Sequence, residues 1–235
     1  MKMKKILSVI LLFAVLTLSL SSCGASDYCE YAKTRDVEGR NIHYVEIMVK
    51  DYGKITVLLD ATTAPLTVSN FIELVNSGFY DGLKLHRIIK DFMIQGGDPN
   101  GNGTGGAEKE IIGEFSNNGF DNDISHKRGV ISMARSQSYN SASSQFFICN
   151  ADSAKLDGEY AAFGYVVKGM RVVDKITNDV FPKTYLADYY GNMNYHPYYN
   201  ATYHDLWEYY GNGALENDAD KPVIEYIKVI ENYEG

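Results

Sequence analysis

A mainly β fold with two helices is predicted by three features of this chain. Short apolar runs recur between clusters of Gly, Asn and Asp; apolar and polar residues alternate in the first and last of these runs; and only two stretches space their apolar residues as helices do. His43 to Lys50 alternates, with Val45, Ile47 and Val49 on one face, so it is read as a half-buried strand. Asp51-Tyr52-Gly53 makes a tight turn, and Ile55 to Leu59 is the returning strand of a hairpin. The clearest helix follows Thr62-Thr63. Pro65 lies in its first turn, Val68, Phe71, Ile72 and Val75 share a face, and Gly78 stands where a glycine ends a helix. Leu85–Ile89, Phe92–Gln95, Val130–Ala134, Gln145–Cys149 and Ala161–Val167 are further short strands. Met170 to Ile176 is a second, short helix with Met170, Val173 and Ile176 inward, and Val223 to Ile230 is the last strand, with Val223, Glu225, Ile227 and Val229 on one face. Pattern alone does not choose between barrel and sandwich.

The first segment is set aside as a targeting device. Lys2, Lys4 and Lys5 precede the apolar run Ile6 to Leu20, which is too short for the roughly 20 residues of a spanning helix. It ends in Leu20-Ser21-Ser22-Cys23, which resembles the bacterial lipobox; the resemblance implies removal of residues 1–22, lipidation of Cys23 and a firm membrane tether. The simpler reading is an ordinary secretory signal beside a cysteine. Removal of 1–22 takes three lysines and no acid, so the formal charge moves from −8 to −11. So acidic a chain argues against nucleic acid as a partner, because phosphate binding rests on Lys and Arg. Residues 23–41 read as a lipidated polar tether, and 42–235 as one domain with a sizeable core. Cys29 and Cys149 make no disulfide framework, and Cys149, inside Phe146-Phe147-Ile148, behaves as a small buried hydrophobe.

The run Leu85-His86-Arg87-Ile88-Ile89, with Asp91-Phe92-Met93-Ile94-Gln95-Gly96-Gly97-Asp98 after it, resembles the active-site strand pair of the cyclophilins, which are peptidyl-prolyl cis/trans isomerases. The likeness resumes at Gly103-Thr104-Gly105-Gly106, Gly129 to Ala134, Ser144 to Ile148 and Leu156-Asp157-Gly158, in family order, over residues 42–177 and again over 222–231. It implies an eight-stranded antiparallel barrel capped by two helices, a peptide groove on its outer face, proline-containing polypeptides as partners and no cofactor.

The chemistry agrees with that. A peptide bond resists rotation by about 18–20 kcal/mol because nitrogen shares its lone pair with the carbonyl. X–Pro bonds populate both isomers and exchange slowly unaided. Catalysis therefore needs no nucleophile, metal or acid/base pair. It needs an apolar slot for the ring and a donor aimed at the twisted amide. Arg87 is the candidate donor, always charged and carrying five N–H groups; the resemblance has it bonding the prolyl nitrogen and steadying the carbonyl. Phe92, Met93, Phe147 and Leu156 match the family's proline pocket, although each, read alone, is more often core. Gln95 matches a residue that bonds the substrate backbone and holds the arginine, Gln145 borders the groove, and Ala134 with the backbone at Arg135 lines the peptide path.

The chain departs from the family at the rim. Tyr160 stands where many members have histidine, keeping a ring and a donor. Lys155 stands where cyclosporin-binding members have tryptophan, so weak cyclosporin inhibition is expected. Arg135 replaces a small polar residue and is expected to favour acidic residues upstream of proline. Gly101 to Gly106 satisfies GxGxxG, yet no βαβ unit surrounds it, so a loop flanking the groove is the better reading. His196 and His204 read as surface, not metal ligands. Residues 178–221 are an insert rich in Tyr, Asn, Gly and Asp before the last strand, with Asp205 to Tyr210 as a turn or two of helix. Its aromatics either cover the barrel side, which is favoured slightly, or meet a surface partner such as a protein or wall polysaccharide.

The function expected is acceleration of folding of exported proteins at X–Pro bonds, in a bacterial envelope, on the outer side of the cytoplasmic membrane or in the outer membrane. Gly24 lacks the aspartate associated with inner-membrane retention. The rival is a weakly active or inactive binding module that uses the groove or the insert. Arg87, Phe92, Gln95 and Phe147 favour the enzyme, because a decayed site loses its donor first.

Overall fold

The computed structural model describes residues 26–190 except 28 and 37, then 213–215, 217–231 and 233; of residues 34 and 181–190 it describes the backbone alone. Residues 1–22, Cys23, His196, His204 and the expected helical turn at Asp205 to Tyr210 lie outside the described residues. The eight strands are β1 (Ile42–Val49), β2 (Gly53–Asp60), β3 (Arg87–Ile89), β4 (Met93–Gly96), β5 (Val130–Met133), β6 (Phe146–Cys149), β7 (Ala162–Lys168) and β8 (Ile224–Ile230). They form one sheet in the order β3-β4-β6-β5-β7-β2-β1-β8, antiparallel at every pairing. The residues ahead of β3 meet the start of β8, where Leu85 N–H donates to the Pro222 carbonyl (2.9 Å) and Ile224 N–H to that of Leu83 (2.8 Å). That contact brings the two ends of the sheet together and curls it into a barrel, leaving fewer unpaired edge groups.

Alternation fixes the interior. Val45, Ile47 and Val49 of β1 and Ile55, Val57 and Leu59 of β2 face inward, as do Ile88, Ile94, Ile131, Met133, Phe146 and Ile148 of the strands that carry the site. Phe71 of helix α1 (Pro65–Asn76) packs against Tyr80, Phe146 and Phe163 with ring centroids 5.0, 5.5 and 5.3 Å away. Each such pair adds about 0.5–1.5 kcal/mol beyond area burial. The N-cap residue of α1 is Ala64, which offers no side-chain cap. The buried Glu114 carboxylate supplies one from a distant loop, accepting from Leu66 N–H (3.0 Å), Thr67 N–H (2.7 Å) and Thr67 Oγ1 (2.7 Å). It satisfies helix-end donors that nothing local reaches.

Three expectations are corrected. Helix α2 spans Met170–Tyr190, not Met170 to Ile176: its buried stripe continues from Met170, Val173 and Ile176 to Val180, so the first part of insert 178–221 is helical. In β8 the residues fully inside are Ile224 and Ile227, with Glu225 exposed. A register shift opposite Met48 and Val49 inserts a bulge there and breaks the strict alternation that placed Val223 and Glu225 on the inner face. The described part of the segment read as a polar tether also packs on the barrel. Asp27 caps α2, its carbonyl accepting from Met170 N–H (3.0 Å) and its carboxylate from Arg171 N–H (3.1 Å). Cys29 is buried, with its N–H on the Val166 carbonyl (2.8 Å), and a 3-10 turn at Glu30–Thr34 leads to Arg35, whose two terminal nitrogens grip Asp123 at 2.8 and 2.7 Å. A short turn held by the buried Cys29, the Tyr31–Tyr165 ring contact and the Arg35–Asp123 pair leaves no apolar period to read.

Candidate active site

The strands that put Ile88, Ile94, Phe146 and Ile148 inside must turn their alternate residues outward. Arg87 stands opposite Gln95 and Ile89 opposite Met93 across β3 and β4, and Phe147 and Cys149 of β6 flank Gln95 and Met93. Ile89, Met93, Phe147 and Cys149 form a separate outer cluster, against which Phe92, Ala134, Leu156 and Tyr160 pack. Over it lies an open cavity of about 320 Å³. Of the residues singled out from sequence, Arg87, Phe92, Met93, Gln95, Ala134, Arg135, Phe147, Leu156 and Tyr160 line this one cavity. Gln145 borders an adjoining one, which it shares with Gln95, Ala134 and Arg135.

A chain of amides holds the arginine. Arg87 Nη1 donates to Gln95 Oε1 (3.1 Å), Gln95 Nε2 to Gln145 Oε1 (2.9 Å), and Gln145 Nε2 to the carbonyls of Gly105 (2.7 Å) and Gly103 (3.1 Å). The glycine loop is itself fixed by Asp98, whose carboxylate accepts from the backbone of Asn100, Asn102 and Gly103. Burial alone would raise the Asp98 carboxyl; these three donors reverse that and bring it below its ordinary value. Asn102, Gly103 and Thr104 join the cavity wall, as the reading of that stretch as a flanking loop implied.

Phe147 is braced from behind. His126 is buried and stacks on it (6.0 Å, 17°), with Nδ1 2.9 Å from Asp157 Oδ1 and Nε2 3.0 Å from Ser132 Oγ. Burial pushes the His126 imidazole below its ordinary pKa, and Asp157 offsets only part of this, so the ring is neutral near pH 7. Tyr160 meets Phe147 edge-on at 5.9 Å. An apolar floor beside a fixed guanidinium can receive a proline ring and offer N–H groups to an amide losing its conjugation.

Residues 44–188 match the family model for cyclophilin type peptidyl-prolyl cis-trans isomerase/CLD. The chain belongs to the cyclophilin family. Similar curated proteins include peptidyl-prolyl cis-trans isomerase A of Dickeya dadantii, 45% identical over 140 residues (56% of this chain, 70% of that protein), and the peptidyl-prolyl cis-trans isomerase of Helicobacter pylori strain J99, 44% over 126 residues (53% and 75%). A Cryptosporidium parvum cyclophilin-type isomerase, crystallised in the presence of the dipeptide Ala-Pro, superimposes with a TM-score of 0.60 at 26% identity, covering 80% of this chain and 99% of that one. This cyclophilin is a peptidyl-prolyl cis-trans isomerase.

Its departures from the family have visible structural consequences. Lys155 lays its ammonium over the Phe92 ring at 4.8 Å, a cation–π contact. Arg135 does not offer its charge to the groove. Its side chain is 10% exposed, and its guanidinium bonds the Glu159 carboxylate (3.0 Å) and carbonyl (2.9 Å) and lies 4.8 Å from the Tyr160 ring centre and 4.9 Å from that of Tyr139. With its charge matched by Glu159, the basis for an acidic preference is removed. Sequence reasoning missed His86, His126 and Ala214 at the site. His86 shows no periodic signal because it lies before β3, and Ala214 reaches the cavity only through the return of the insert.

Proposed function

We propose that this cyclophilin accelerates the folding of exported proteins at X–Pro bonds, from a position in a bacterial envelope where lipid on Cys23 anchors it. The observation that carries the catalytic part is Arg87, pinned through Gln95 and Gln145 at the edge of an apolar floor. The prolyl ring of a bound segment rests on Phe92, Met93, Phe147 and Leu156. An Arg87 N–H then donates to the prolyl nitrogen as its lone pair leaves conjugation. That interaction exists only in the twisted state, so it lowers the barrier without tightening the ground state. Gln95 holds the guanidinium and meets the substrate backbone, while Ala134, Gln145 and the Arg135 backbone line the peptide's path.

Exchange spectroscopy on a proline tetrapeptide, with residues 24–235 and an Arg87→Ala control, tests this. Acceleration that largely vanishes in the control supports the assignment; none from a folded wild type overturns it. The anchor is tested by labelling cells with a fatty acid and comparing Cys23→Ser, which loses both label and membrane fractionation if the reading is right. Only three residues separate Cys23 from the docked Asp27, a reach of at most about 14 Å. A lipid there would hold the barrel close to the bilayer. The tyrosine-rich insert offers a second contact surface to a protein or wall polysaccharide; binding to purified wall polysaccharide that persists after deletion of 191–212 would remove that role.

A further inference from the structure

We propose that Gly213–Leu215 is a positioning strand for Arg87, and that Ala214 sets which residues beside proline the groove accepts. This rests on the isomerase reading of the same site. β3 stands at one end of the strand order and is only three residues long, so β4 alone would hold it. On its other side Ile88 N–H donates to the Gly213 carbonyl (3.0 Å) and Leu215 N–H to the His86 carbonyl (2.9 Å). These two bonds bracket an antiparallel bridge between Arg87 and Ala214. In such a non-hydrogen-bonded pair the Cα atoms approach to about 4.5 Å and the side chains share a face at their closest spacing. Ala214 therefore sits beside the arginine stem, and it lines the same cavity as Arg87 and Phe92.

The added segment is docked, not draped. Leu215 is buried in the barrel's interior core. Gly213 has φ +75, and a Cβ there would collide with Ile89 Cγ1 and come within 3.0 Å of the Ile88 carbonyl oxygen. Only glycine allows so close an approach in the left-handed region. Ala214 is small for a related reason: a longer side chain must either enter the cavity or push the Arg87 stem away from Gln95.

Two variants test the proposal. Ala214→Leu is measured against a series of peptides that vary the residues beside proline, by exchange spectroscopy for turnover and by chemical-shift titration for binding. The ratio of small-residue to bulky-residue kcat/KM, and of the matching affinities, is expected to rise at least fivefold. A ratio within twofold of wild type overturns the specificity role. Gly213→Val is read without substrate, through the Arg87 Nε–H resonance and amide exchange at Ile88, and with substrate through kcat. A displaced resonance, faster exchange and a kcat about tenfold lower at near-normal KM are expected; an unmoved resonance with normal kcat overturns the positioning role. If Gly213→Val does not fold, the same resonance in Ala214→Leu decides. A wild type that binds the peptides without turning them over would refute the isomerase reading while the affinity ratio still tests Ala214.

Discussion

Replacing Arg87 by alanine separates catalysis from stability in this fold. The side chain is half-buried at the end of the sheet and donates a hydrogen bond of 3.1 Å to a surface-facing amide, Gln95. Loss of that bond costs about 1 kcal/mol of stability, a fall of only some 2–4 °C in melting midpoint for a domain of this size. The transition state loses much more. Removing one fixed donor from an oxyanion-type site lowers kcat by about 10²–10³, or about 2.7–4 kcal/mol. A loss near the lower bound, about 10², is expected here, because the apolar floor and Gln95 remain. Arg87→Lys should recover little of this. One compact ammonium cannot both hold Gln95 and reach the amide, whereas a planar guanidinium does both. Line-shape or exchange NMR on a proline tetrapeptide measures the rate, and a thermal melt confirms folding. A folded Arg87→Ala within threefold of wild type would refute the donor argument, and so would full activity in Arg87→Lys.

Glu114→Ala, which removes the distant cap of α1, should cost about 3 kcal/mol and lower the melting midpoint by roughly 6–12 °C, with catalysis per folded molecule unchanged; a midpoint shift below 2 °C would show that the cap contributes little. Burial lowers the pKa of both His86 and His126, so the unfolded chain binds protons more readily and stability is complete above the ordinary value of about 6.5. It should decline as pH falls from 6.5 towards 5, by at most about 1.4 kcal/mol per pH unit for each histidine, ahead of the loss from Asp98 and Asp157 below about pH 4; a urea midpoint that stays flat from pH 7 to 5 would contradict this. Cyclosporin should bind weakly because Lys155 offers no indole, and Lys155→Trp should tighten it at least tenfold by calorimetry, whereas low-nanomolar affinity in the wild type would remove the premise.

The strands and the first helix were legible because burial imposes a period. Val45, Ile47 and Val49, or Val68, Phe71 and Val75, record in the sequence which face meets the core. The outer wall of the site left no such mark. Met93 and Phe147 are as apolar as Ile94 and Phe146 one position away, and alternation cannot say which of two apolar faces is inside. Only the family resemblance turned them outward. Contacts made by backbone rather than by side-chain pattern were invisible as well: the Asp27 cap, the Gly213–Leu215 bridge to β3 and the bulge in β8 depend on where distant segments arrive.

The same distinction explains where this cyclophilin tolerates change. Rotation about an amide moves no proton and forms no bond, so nothing in the reaction requires a group with a tuned pKa. What it requires is a donor whose position survives contact with a flexible substrate. Position is supplied here by β3 between two neighbours and by the Gln95–Gln145 chain running to the glycine loop. The rim residues face no such demand. Lys155 sets a cation over Phe92, Tyr160 sets an aromatic edge against Phe147, and the charge of Arg135 is matched by Glu159. Each changes what the groove touches and leaves the Arg87–Gln95–Gln145 chain in place, so variation among rim residues should alter substrate and inhibitor preference well before it alters the rate of rotation.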